Sequence, residues 1–192
     1  IQRRAARTVL DQLFNCLTSW FAPFICFTAE EAWLARFPNE NDSIHLRRFP
    51  QIPDIWRDHA LAEKWSKIRE LRRVVTGALE IERAEKNIGS SLQAAPTVYV
   101  TSEYIDAMDG LDLAEIAITS SAELHQGNPP KGAFNLEDVA GVGVLINIAE
   151  GNKCVRCFKI LPEVGSIKNH KEVCNRCAIA ADKFNLPDDN LA

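Results

Sequence analysis

Lys153-Cys154-Val155-Arg156-Cys157 and, with sixteen residues between, Cys174-Asn175-Arg176-Cys177 form the stretch on which the reading of this chain turns. Two C-x2-C turns at this separation have the spacing of a four-thiolate zinc site. Each turn aims two thiolates at one point, and two turns complete a tetrahedron. Four cysteine ligands leave no position for water, so one structural Zn2+ is expected, not a catalytic one. His170, between the pairs, is the alternative fourth ligand, weighed against a solvated histidine in a basic loop. A tail of about forty residues buries too little surface to fold alone. Metal binding supplies that missing free energy.

The same stretch is basic. Lys153, Arg156, Lys159, Lys168, Lys171 and Arg176 face two glutamates, a local net charge of +4. Residues 102–150, just before, hold nine acidic residues and one lysine, a net of −8. Phosphate binding follows local patches, not the whole-chain charge of −4. Phe158 directly follows Cys157, and cations beside an aromatic ring suit phosphate contact with base stacking. A nucleic acid is therefore the expected partner. The competing reading has Phe158 fill the small core of the ribbon while the charges only solvate it.

The bulk numbers are ordinary for a globular chain: 192 residues, 46% hydrophobic and 25% charged. No run of eighteen apolar residues exists, so no membrane span is expected. The chain opens at Ile1 without Met or a signal-like segment, and is expected to be a piece of a longer protein. Cys16 and Cys26 stand in apolar, helical surroundings and are expected as buried thiols. Together the six cysteines indicate a reducing cytoplasm, with a disulfide framework as the alternative.

Working back from the zinc stretch, Val142–Ala149 and Ile116–Ser120 have strand character, as does 97–101. Ile105–Leu111 suits a short helix, and residues 127–132 a turn-rich loop. Asp58 to Lys86 predicts a long helix striped by Leu61, Trp65, Ile68, Leu71, Val75 and Leu79, broken at Asn87-Ile88-Gly89 with Gly89 left-handed. Its Arg72 and Arg73 suit a solvated face of i,i+4 pairs. Residues 38–57 predict a loop with one extended piece, Ile44–Phe49. Thr28 and Glu31 have the spacing of a capping box opening a short helix to Arg36. Residues 2–21 predict an amphipathic helix with Val9, Leu13, Leu17 and Trp20 on one face. The four tryptophans are expected in the core, and Ala178–Phe184 as a last helical turn or two.

These residues resemble a family. Lys153–Cys157 with Cys174–Cys177 is similar to the C-terminal zinc module of bacterial isoleucyl-tRNA synthetases, though a similar finger ends the formamidopyrimidine-DNA glycosylases. Ala22-Pro23-Phe24-Ile25 and Phe27-Thr28-Ala29-Glu30-Glu31-Ala32-Trp33 resemble the helical anticodon-binding domain of class I synthetases for Ile, Val and Leu. Ser43-Ile44-His45-Leu46 with Phe49-Pro50 fits the connection that follows it, and Arg83 through Ala94 resembles the isoleucyl enzymes. Phe158 stands where that family often has Trp, and Gln93 where it often has Glu.

The resemblance implies a C-terminal fragment of α+β class. It would comprise an α-helical anticodon-binding region over 1–93, a small α/β subdomain over 94–150 and a zinc ribbon over 151–192. The implied partner is tRNA(Ile), gripped by the anticodon arm. The implied RNA contacts are Lys153, Arg156, Phe158, Lys159, Lys168, Lys171, Arg176, Arg72 and Arg73. Isoleucine activation with ATP and editing would belong to domains outside this chain, whose ATP-site signatures it lacks. No catalytic residue is expected in it. A cytoplasmic monomer serving protein biosynthesis is implied. The rivals are the DNA-binding tail of a glycosylase-type repair enzyme, which requires helices before the finger, and a zinc-stapled protein-interaction module.

Overall fold

Thr97–Val100 (β1) pairs with two neighbours at once, and the rest of its sheet is arranged around it. The computed structural model describes residues 2–39 and 41–184, side chains of Gln2 and Phe184 excepted. Residues 185–192, grouped above with the zinc module, lie outside the described residues. The chain divides into two units, Ile1–Asp58 and His59–Ala192.

In the second unit the sheet order is β2-β1-β4-β3, with β2 at Glu123–Gln126, β3 at Phe134–Leu136 and β4 at Val139–Leu145. β1 runs parallel to β2 and antiparallel to β4, so Val98 opposes Val144 and Val100 opposes Val142. All four valines are at most 2% exposed. They are the inward positions of a period-two pattern. The parallel step from β1 to β2 needs a crossover. Two short helices supply it, α4 (Ser102–Met108) and α5 (Leu113–Ala117).

The long helix α3 (His59–Ala84) lies against β4 and β3. Ile68, Leu71, Val74, Val75, Ala78 and Leu79 join the valines, Tyr104 and Met108 in one core. Gly77 lets the helix approach closely, since a Cβ there would meet the Phe134 ring at 2.9 Å. The helix therefore belongs to the sheet's unit.

α3 ends by a different device from the one expected. Lys86, not Gly89, takes the left-handed conformation at φ 64°. Its N–H reaches the Arg83 carbonyl at 3.1 Å, and the Asn87 N–H reaches Glu82 at 2.9 Å. That pair of bonds satisfies the last carbonyls of the helix. The next turn closes on itself: Ser90 caps the Leu92 N–H, and Gln93 Oε1 accepts from Gly89 and Ser90.

The expected strand at Ile116–Ser120 does not form: Ile116 and Ala117 are the last residues of helix α5, and 118–120 lie beyond its end. Asp112 caps its first turn by accepting from the Ala114 N–H, and Leu113, Ala114 and Ala117 turn inward at helical spacing. The β-branched run misled because Ile118 sits left-handed at φ 59°, where the turn stops. β4 ends at Leu145, not Ala149, and the helix expected at 105–111 runs three residues earlier.

In the first unit, α1 (Gln2–Phe21) and α2 (Cys26–Arg36) pack through Phe14, Trp33 and Phe37, with Trp33 and Phe37 ring centroids 4.5 Å apart. Thr28 does not cap α2. The Ile25 N–H bonds the Phe21 carbonyl, and Ala29 bonds back to Ile25, so the helix starts before Thr28. Glu30 instead holds the following loop, accepting from Ser43 Oγ and the Ile44 N–H at 3.0 and 2.9 Å. Those bonds curl Ile44–Leu46 into a single 3-10 turn where an extended piece was expected. The α1 stripe is largely open. Val9, Leu13 and Trp20 line an apolar hollow of about 570 Å³ with Cys16, Ile52 and Trp56. Among the tryptophans only Trp33 is buried, and Cys26 is exposed while Cys16 is buried.

Candidate metal centre and nucleic-acid interface

Cys154, Cys157, Cys174 and Cys177 bring their sulfurs within 4.8 Å of one another. A two-stranded ribbon, β5 (Asn152–Lys153) with β6 (Ile160–Leu161), carries the first pair, and the start of α6 (Asn175–Phe184) carries the second. The first turn is closed by the Phe158 N–H to the Cys154 carbonyl at 2.9 Å and by the Cys154 N–H to Lys159 at 2.8 Å. The second is drawn in when the Cys174 N–H points at Cys154 Sγ, 3.4 Å away. Gly151 permits the ribbon's tight entry at φ 112°, because a Cβ there would lie 2.4 Å from the Leu161 carbonyl.

The geometry suits a tetrahedral ion. Sulfurs at about 2.3 Å from zinc define edges of about 3.8 Å. Cys157 and Cys174 Sγ are 3.7 Å apart. Cys154, Cys174 and Cys177 are at most 2% exposed, and together with Val164 they form the ribbon's own core. The four cysteines are thus positioned to bind a metal ion. His170 is not among them; its Nε2 pairs with Asp182 at 2.7 Å.

Their protonation is uneven. Burial pushes the Cys154 thiol up, but backbone N–H groups of Cys157, Cys174 and Arg156 outweigh it and bring it down to about 6. Cys174 is pushed up to about 12, by burial first and then by hydrogen bonding with the neighbouring sulfurs. A bound dication overrides that split and holds every ligating thiol as thiolate.

The expected RNA contacts separate into two groups. Arg72 donates to the Ile116 carbonyl at 2.9 Å, and Arg73 pairs with Asp138 at 2.7 Å. Arg176 pairs with Glu115 at 2.7 Å, and Arg156 points at Cys177 Sγ, 3.6 Å away. Burial works against the Arg176 charge, and its hydrogen bond with Cys157 and the nearby sulfur charge more than offset it. Each of these four arginines thus has an acceptor within the chain.

Lys153, Lys168 and Lys171 are exposed and Lys159 is half-buried; among the described residues no ion pair engages them. Phe158 is 53% exposed, so it does not fill the ribbon core. It is held left-handed at φ 65°, with Lys153 Nζ 5.1 Å from its ring centre. Phe158, Lys153 and Ile160 form one wall of a cleft of about 250 Å³, and the turn through Gly89, Ser90, Leu92 and Gln93 forms the other.

Two residues absent from the sequence reading hold the ribbon in place. Ser120 Oγ links the 91–93 turn to β6, and Glu115 on α5 holds Arg176. No local pattern marks either one, since their partners lie 28 to 61 residues away.

Before the ribbon come β4 and the Ala94–Ile148 bridge, not the pair of helices a glycosylase tail requires. The relatives agree with that. Residues 1–99 match the family model described as the anticodon-binding domain of tRNA ligase. The isoleucine–tRNA ligase of Agrobacterium fabrum is 48% identical over 181 residues, 94% of this chain and 19% of the relative. That of Brucella abortus (strain 2308) is 49% identical over 181 residues, 94% of this chain and 18% of the relative. The Bartonella henselae protein of the same name is 47% identical over 180 residues, covering 93% and 18%. The chain thus spans about a fifth of the length of the curated relatives it matches. With its helical half matched by the family model and its zinc-type ribbon inside the aligned region, this chain belongs to the family of the anticodon-binding domain of tRNA ligases.

Proposed function

We propose that this chain is the part of an isoleucine–tRNA ligase that grips the anticodon arm of tRNA(Ile). Its grip orients the tRNA so that regions outside this chain carry out ATP-dependent isoleucylation in the cytoplasm. The observation that carries the reading is Phe158. A non-glycine residue held left-handed costs about 1–2 kcal/mol, and such strain gathers at functional positions. Here the strain presents a half-exposed ring beside Lys153, above a cleft of about 250 Å³. Base stacking on such a ring is worth about 1–3 kcal/mol and tolerates any base. Lys153, Lys159, Lys168 and Lys171 would contact phosphates, which position the RNA without reading it. Arg72, Arg73, Arg156 and Arg176 would have to release their present partners to do the same.

The ion is Zn2+, since four thiolates at tetrahedral spacing favour it. It is structural and supplies the ribbon's stability. The functional partition follows the same reading: an anticodon-binding region over 1–93, a connecting subdomain over 94–150 and a zinc module over 151–192, acting as one monomer. The test is a binding titration of the zinc-loaded protein with tRNA(Ile), an unrelated tRNA and duplex DNA, each across a salt series. The expected order is tRNA(Ile), then unrelated tRNA, then DNA, with affinity falling as salt rises. Equal affinity for all three, or none for any, overturns the proposal.

A further inference from the structure

We infer that Arg156 is a positioning residue for the metal's thiolates: its guanidinium holds Cys177 Sγ, offsets the charge of the cluster and slows loss of the ion. The inference rests on the zinc reading above and adds a residue that cysteine spacing does not reveal. Both metal turns are written C-x-R-C, with Arg156 and Arg176 at the same place in each. The Arg156 backbone N–H serves its own turn, but its guanidinium does not. It reaches across to the opposite one, placing Nη1 3.6 Å from Cys177 Sγ.

The chemistry gives this contact a purpose. Four thiolates around a dication carry a net charge of −2, and three of the four sulfurs belong to residues at most 2% exposed. Buried charge without compensation is costly. A guanidinium is permanently charged, planar and weakly hydrated, which suits a half-dry site. Its N–H also occupies a sulfur lone pair that a proton or chelator must otherwise attack. Arg176 is placed to do the same but is divided, because its Nη1 also engages Glu115 at 2.7 Å. The two arginines should therefore be unequal, with Arg156 the more important for the metal.

The experiment measures zinc release from the loaded protein into excess chelator, followed with a zinc-sensitive dye at constant pH. Stoichiometric zinc in the unaltered protein is measured first, and its absence overturns the metal reading itself. Arg156→Gln is expected to release zinc on the order of tenfold faster, the usual scale for loss of a ligand's hydrogen-bonding partner. Arg176→Gln should have a smaller effect. Lys131→Gln removes the same charge from an exposed loop position outside the ribbon and should leave the rate unchanged. Wild-type release from Arg156→Gln overturns the inference, as does equal acceleration by Lys131→Gln. Should Arg156→Gln fail to hold metal at all, Arg156→Lys loaded with cobalt(II) decides. The thiolate-to-cobalt absorption band is expected to shift when the planar donor is lost, and an unshifted band overturns the inference.

Discussion

Ser120 Oγ accepts the Ile160 N–H at 2.6 Å, tying the metal ribbon to the sheet across forty residues of sequence. The same hydroxyl donates to the Leu92 carbonyl at 2.5 Å, and Ser120 is 3% exposed. One buried oxygen thus joins three segments: the turn after α3, the connection after α5, and β6. Ser120→Ala leaves a donor and an acceptor unmatched, at an expected cost of about 2 kcal/mol. Urea unfolding of the zinc-loaded protein measures it, and a change below about 0.5 kcal/mol would mean other groups take over both bonds.

Cys174→Ser should lose the metal and unfold the ribbon while the sheet survives. The sheet's core and the ribbon's core are separate clusters that share no residue. Metal analysis with limited proteolysis checks this. New cleavage is expected between residues 153 and 177, with the segment 59–145 still protected. Retained stoichiometric metal would show that three sulfurs suffice.

Phe158 allows stability and binding to be separated. Phe158→Ala should weaken tRNA(Ile) binding by about 1–3 kcal/mol while changing stability little, because the ring is half exposed. Phe158→Gly should weaken binding equally yet stabilise the fold by about 1 kcal/mol, since glycine adopts the φ of 65° without strain. Unaltered affinity in both variants would remove the ring from the interface.

Tyr104 gives an alkaline signature. Burial, then the charge of Glu70, then its hydrogen bond to Glu70 Oε2 at 3.2 Å raise its hydroxyl from 10.0 to about 12. Between those values the unfolded chain releases a proton that the folded chain keeps, so stability falls as pH rises through that window. The contribution is complete below pH 10. Denaturant titrations of the wild type and Tyr104→Phe should converge in slope against pH only outside the window. Identical slopes within it would place the hydroxyl in water.

Much of this protein was legible in its sequence because the physics is local. Four thiols at C-x2-C spacing suit one tetrahedral ion, and the fold does gather their sulfurs within 4.8 Å of one another. The apolar period of α1 and of the middle of α3 likewise announced helices that formed. Errors collected where a local pattern competed with a distant partner. Ile116–Ser120 has strand composition, yet Asp112 and the inward-facing Ala117 draw its first two residues into α5, and Ile118 ends the helix. Thr28 stands at capping spacing, but the turn after Phe21 had already started α2. β2 and β3 went unnoticed because each is short, and only pairing with β1 and β4 makes it a strand.

The sequence by itself determined the paired cysteines, the basic tip and the long helices, because each depends on residues within a few turns of one another. Only the tertiary structure decided which cations are free. Arg72, Arg73, Arg156 and Arg176 look like the lysines in sequence, and each is engaged by an acceptor 21 to 65 residues away. A charge in sequence has a sign but no partner. Folding supplies the partner by bringing remote oxygen or sulfur within hydrogen-bond reach, and among the ribbon's exposed cations Lys153, Lys168 and Lys171, unlike Arg156 and Arg176, show no such acceptor among the described residues.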